Sequence, residues 1–195
     1  MPTSRAAAAP FTTARPVAGL AGAGIAAGAM LFATALTGAA SQASVTLPGM
    51  LIPFTLQPIA VLLSGAVLGA RLGAGSQALY LLAGVVGASM FAWSPVLLPG
   101  AARLMGPTGG FLMAFPVAAF VAGVLSERGF TSRPLGAAVA MTAGAAALYA
   151  FGTAWAMATI PGTPLAAFAP YAAADLVKVL LVAPAVPALR RALLR

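Results

Sequence analysis

Apolar runs of about 20 residues, the length a helix needs to cross the hydrocarbon of a bilayer, recur along this chain with only short polar segments between them. Six are read: about Val17 to Ala40, Pro58 to Ala70, Leu72 to Ala92, Phe111 to Leu125, Leu135 to Ile160 and Leu165 to Leu189. The second is the shortest, roughly 13 residues, a length nearer to a re-entrant or buried segment than to a full crossing. Of 195 residues 62% are hydrophobic and 6% charged, against roughly 25% charged in an average soluble domain. The expected fold is an all-α integral membrane protein with six transmembrane helices.

Basic residues collect in the cytoplasmic loops of membrane proteins, which tests that number. With the N-terminus inside, the cytoplasmic segments carry Arg5 and Arg15, then Arg71, then Arg128 and Arg133, then Arg190, Arg191 and Arg195. The external loops carry only Arg103. Both termini are therefore expected in the cytoplasm, with residues 1–15 a disordered tail and residues 16–195 a single six-helix membrane domain that binds substrate. Arg5 and Arg15 ahead of an apolar stretch that ends in "SQA" also resemble a secretory signal, but the run exceeds the 7 to 15 residues or so of a signal core and is read as retained. Glu127, beside Arg128 in the polar loop "SERGFTSRP", reads as a solvated loop charge. The net charge of +8 does not indicate nucleic acid, because the ten basic residues are scattered singly or in pairs and form no stripe.

Chemistry is narrowed by what is scarce. The chain holds two carboxylates, Glu127 and Asp175, and neither histidine nor cysteine. Disulfides, thiolate chemistry and most metal sites need residues it lacks, and no cofactor is expected. Acid/base and nucleophile/base pairs are equally hard to assemble, so an enzyme is poorly supported. The phosphate-binding pattern of ATPases, G-x-x-x-x-G-K-[ST], is missing as well.

Against that background "AAADLVK", Ala172 to Lys178, places an aspartate and a lysine on one face of the sixth apolar run. A charge near the middle of a membrane helix costs at least about 2.5 to 3.5 kcal/mol, so the pair is either an ion pair locking helices together or a functional pair facing a polar cavity. In the second case Asp175 would accept N–H donors from a ligand and Lys178 would supply a cation to a carboxylate or carbonyl. Gln57 precedes the second run and falls on the same outer side, whereas Gln77 falls toward the cytoplasm. "MGPTGG" and "FAWSP" lie in outer segments too. Tyr80, Trp93, Tyr149, Trp155 and Tyr171 offer flat walls with a polar tip, and Trp93 and Trp155 are the best placed.

The segments "PFTLQPIAVLLSGAVLGARLGAGSQALYLLAGVVGASMFA", "LMGPTGGFLMAFPVAAFVAGVLSERG" and "AAADLVKVLLV", in that order, resemble the BioY family, the biotin-binding S components of energy-coupling factor (ECF) transporters. The resemblance runs from about Leu47 to Arg190. It implies high-affinity capture of biotin at the outer face of a prokaryotic plasma membrane, with lipid around the chain and import driven by a transmembrane coupling protein and two cytosolic ATPases. Carried over by position, the family's D-x-x-K pair falls on Asp175 and Lys178 and its loop glutamine on Gln57. "GPTGG" is intact and brings Thr108 and Gly109 into the expected site. Phe111 follows it where relatives often carry Tyr or Arg, and either Arg103 or a water is the candidate to replace that donor. The polar contact between the third and fourth helices falls nearest to Ser94, with Trp93 beside it, and Trp155 completes the expected binding residues.

Small residues recur every four positions in the first helix, including Ala29 and Ala33. In the family an alanine-rich face there meets the coupling protein, and "AMLFATAL", Ala29 to Leu36, looks most like it. Packing within the chain explains the same spacing equally well. Two other readings stay open: an S component for another small vitamin, and a membrane scaffold that transports nothing.

Overall fold

The structure, a computed structural model, describes residues 22–45, 52–94 and 98–193. The expected tail over residues 1–15, the start of the first apolar run and Arg195 lie outside the described residues. Helices α1 (Ala23–Gln42), α2 (Gln57–Leu68), α3 (Ala70–Val85), α4 (Ala102–Met105), α5 (Gly109–Glu127), α6 (Pro134–Thr159), α7 (Ala169–Val182) and α8 (Val186–Leu193) follow one another along the chain. A minimal antiparallel pair, β1 (Ser44–Val45) and β2 (Phe54–Thr55), sets Ser44 opposite Thr55 between α1 and α2.

Among the described residues, four stretches are long and apolar enough to cross a membrane: α1, α5, α6 and Leu165–Leu193, the last containing α7 and α8. The second and third expected crossings correspond to shorter helices of 12 and 16 residues. The third apolar run was expected to reach Ala92, but α3 ends at Val85, where Gly87 takes a left-handed φ of 97° that suits the residue after a helix end. The sixth run is not one helix either. A 3-10 turn at Ala183–Ala185 interrupts it where Pro184 and Pro187 lack the N–H groups a continuous helix would use.

Helix α5 is central and packs against α2, α3 and α6. Small residues permit that approach: a Cβ at Gly65 in α2 would stand 2.0 Å from the Ala119 carbonyl oxygen of α5, closer than any side chain could tolerate. A single residue, Gly69, with φ 89°, separates α2 from α3. Arg71, expected in a loop, therefore belongs to the first turn of α3.

Helix α1 joins the others through hydroxyls. Thr34 donates to the Ser76 carbonyl at 2.9 Å and Ser41 to the Met90 carbonyl at 2.7 Å. The Gln77 amide of α3 donates to Thr37 at 3.2 Å and to Ser64 of α2 at 3.0 Å. Ala33 lies inside this packing and Ala29 is half-buried against it, whereas Leu31 and Phe32 point outward.

Glu127 is not the solvated loop charge its sequence context suggests. At the end of α5, half-buried, its Oε1 accepts the Ala70 backbone N–H at 2.9 Å and caps the start of α3. Arg190 is likewise buried, donating to the Ser126 hydroxyl and to the Ala66 carbonyl. Together they tie α2, α3, α5 and α8 at one end of the bundle.

Candidate ligand-binding site

The other end of the bundle holds a cavity whose lining is mostly apolar with a few polar and charged groups, the composition of small-molecule sites. Glu127 lies 16 residues beyond Phe111 along α5, so the capped end is about 24 Å away at 1.5 Å per residue. The cavity forms where β2 and the start of α2 meet α4, the N-terminal turns of α5 and α7, and the C-terminal half of α6.

Asp175 and Lys178 both line it. They lie one turn apart on α7 and make the only ion pair among the described residues, Lys178 Nζ to Asp175 Oδ1 at 2.6 Å. Lys178 also donates to the Thr55 carbonyl at 2.8 Å, which anchors β2 to α7. The second carboxylate oxygen, Oδ2, accepts the Tyr149 hydroxyl of α6 at 2.7 Å. Lysine and aspartate each occur once in the whole sequence, and here they meet.

Gln57 lines the cavity at the first turn of α2, its amide donating to the Tyr80 hydroxyl, which itself donates to the Met90 carbonyl at 3.1 Å. Tyr80 stands behind the cavity wall and is fully buried. Arg103, from the four-residue α4, is 5% exposed, lines the cavity and donates to the Ala92 carbonyl. Burial pulls its guanidinium below its usual value, yet an arginine keeps its charge under such conditions. Two cations and one carboxylate leave the lining with a net charge of +1.

Thr108, at the start of α5, is also in the lining, and its buried hydroxyl has no hydrogen-bond partner among the described residues. Phe111 supplies an apolar wall. Its ring meets Tyr149 edge-on at 5.8 Å between centroids and covers Gly152, where a Cβ would come within 2.2 Å of it. Phe54 stacks on Tyr171 at 4.4 Å, and the Tyr171 hydroxyl donates to the Ile52 carbonyl at 2.7 Å.

Six of the ten residues singled out from the sequence thus come together: Gln57, Arg103, Thr108, Phe111, Asp175 and Lys178. Trp93, Ser94, Gly109 and Trp155 are not among the lining residues. Trp93 is 72% exposed and Ser94 half-buried outside the cavity. Gly109 is packed on the Leu104 carbonyl, where a Cβ would stand 1.8 Å away. Trp155 braces the turn before α5, its indole N–H donating to the Gly106 carbonyl at 3.0 Å. Sequence reasoning gave no special weight to Phe54 and Thr55, whose only signal was their place just before Gln57.

Such an arrangement can hold a small molecule with an apolar body, an anionic end and a polar group able both to donate and to accept hydrogen bonds. The comparisons with known proteins agree in scale and fold. A structure titled the S-component for biotin from an ECF-type ABC transporter superposes with a TM-score of 0.75 at 21% identity, covering 85% of this chain and 90% of that one, which shows a shared fold. A probable biotin transporter BioY of Pyrococcus horikoshii is 42% identical over 90 residues, 46% of this chain and 52% of that protein. A biotin transporter BioY of Thermotoga maritima is 46% identical over 77 residues, 40% and 44% respectively, so these matches span about half of the relatives' length. A biotin transporter BioY of Rhizobium etli is 34% identical over 142 residues, 68% of this chain and 72% of that protein. With the BioY family model also matching residues 16–195, this chain belongs to the BioY family.

Proposed function

We propose that the chain is the substrate-binding S component of an ECF-type transporter and captures biotin in this cavity. One observation carries the reading: the sole Asp–Lys pair borders a cavity that also holds a buried arginine and a threonine hydroxyl with no partner among the described residues. Biotin's ureido group offers two N–H donors and a carbonyl, its rings and chain are apolar, and its carboxylate is anionic at neutral pH. Asp175 and Lys178 match the ureido group, aromatic walls the body, and Arg103 with Thr108 the carboxylate, which Asp175 would repel. Gln57 and Phe111 complete the contacts. Trp155 supports them from behind, through the turn that carries Thr108 and Gly109.

In this reading the chain crosses the plasma membrane of a prokaryote six times, with α2 and α3 as short crossings and both termini in the cytoplasm. Charge supports the orientation: Arg71, Arg128, Arg133, Arg190 and Arg191 belong to the end of the bundle opposite the cavity, which therefore faces out. A transmembrane coupling protein and two cytosolic ATPases would drive import. Gly24 and Gly28 of α1 face open space and leave room for a partner helix near Ala29.

A structural role for the pair has its own support, because Asp175 and Lys178 are already bonded to Tyr149 and Thr55. Calorimetry of the purified protein with biotin separates the two readings. Saturable one-to-one binding, lost in folded Asp175→Asn and Lys178→Ala variants, is expected. No binding by the folded parent overturns the assignment to biotin.

A further inference from the structure

Neighbours one turn apart on a helix can satisfy each other, and an aspartate and lysine so placed tend to close into a pair that offers a ligand nothing. Here the pair is held open. Lys178 reaches only Oδ1 of Asp175, at 2.6 Å, because Oδ2 is taken from across the cavity by the Tyr149 hydroxyl at 2.7 Å. The second ammonium proton goes to the Thr55 carbonyl at 2.8 Å. An ammonium has three N–H donors and a carboxylate about four acceptor positions. One donor on Lys178 and two acceptor positions on Asp175 therefore remain for a ligand.

We infer that Tyr149 is a positioning residue: it fixes the plane of the Asp175 carboxylate so that the pair presents an acceptor and a donor side by side. The group such a pair takes has adjacent N–H and C=O, a cyclic urea or a cis amide, and this class rests on the reading of the cavity as a ligand site. Tyr149 is fixed in turn. Its ring meets Phe111 edge-on, and Phe111 is seated over Gly152, one turn further along α6. Without the hydroxyl, the carboxylate is free to turn both oxygens toward Lys178, which draws the ammonium off Thr55 and folds the pair shut.

Tyr149→Phe removes the donor and keeps the ring. Because Asp175 is the only aspartate, isotopic labelling of aspartate side-chain carboxyls gives an infrared carboxylate band from one residue of the full chain. The ligand-free variant should still fold and should show that band shifted from its wild-type position, with a biotin affinity at least about tenfold weaker. An unshifted band, or a shifted band with affinity within about twofold of wild type, overturns the positioning role alone. A folded wild-type protein that binds no biotin and whose band does not respond to it overturns the reading of the site and, with it, the ligand class.

Discussion

Glu127 at the end of α5 accepts the backbone N–H of Ala70 at 2.9 Å, so a carboxylate from one helix caps the start of another 57 residues away. A helix start carries partial positive charge and unpaired N–H groups, and a capping acceptor there contributes roughly 0.5–2 kcal/mol. Glu127→Ala should lower the thermal unfolding midpoint in detergent while biotin affinity stays at the parental value, because the cap lies at the far end from the cavity. A loss of affinity without a loss of stability would contradict this separation of the two ends.

Arg103 separates charge recognition from shape recognition. Arg103→Gln keeps a donor for the Ala92 carbonyl and removes the positive charge. Affinity for biotin should fall by about tenfold or more, whereas biotinamide, whose carboxylate is replaced by a neutral amide, should lose less than about threefold. Equal losses for the two ligands would place the carboxylate elsewhere in the cavity.

Lys178 is the only lysine, and its side chain is 22% exposed. Lys178→Ala should weaken binding by more than tenfold, about 1.4 kcal/mol, and leave a protein that still folds and extracts. An amine-reactive reagent should modify Lys178 slowly in the free protein and more slowly still with saturating biotin, as read by mass spectrometry of the peptide containing it. Labelling that ignores the ligand would remove Lys178 from the site.

Glycines of similar sequence context should differ sharply in tolerance. Gly65→Ala drives a methyl into the Ala119 carbonyl, and overpacking of this kind costs about 1–3 kcal/mol. Gly24 and Gly28 face open space within α1, so Gly24→Ala and Gly28→Ala should not lower the unfolding midpoint and can raise it, alanine being the better helix former. Parallel thermal scans of the three variants test the contrast.

Much of this was legible because charge is so rare here. An aspartate and a lysine three positions apart in an apolar run had to be either paired or functional, and they proved to be paired and to line the cavity. Tyr149 was harder to place. A tyrosine in an alanine-rich helix reads as one wall among several, and its partner is 26 residues away on a helix whose rotation only packing sets. Arg103 sat in a stretch too short to read as structure, so its burial was hidden, and Glu127 beside Arg128 carried the ordinary signature of a loop. The third apolar run was drawn longer than the helix it forms because hydropathy does not register the left-handed turn at Gly87.

The hydroxyl seam of α1 has a consequence for how that helix can move. In water a helix leaving its neighbours would expose apolar surface, but in a bilayer lipid replaces the lost apolar contacts at little cost. Thr34, Thr37 and Ser41 therefore weigh more in retaining α1 than its larger apolar side chains do. Their spacing also matches partners on α3 and at Met90 in a single alignment. Sliding α1 along its axis by one residue would break these bonds together, so the helix is keyed to one position and either sits there or comes away whole.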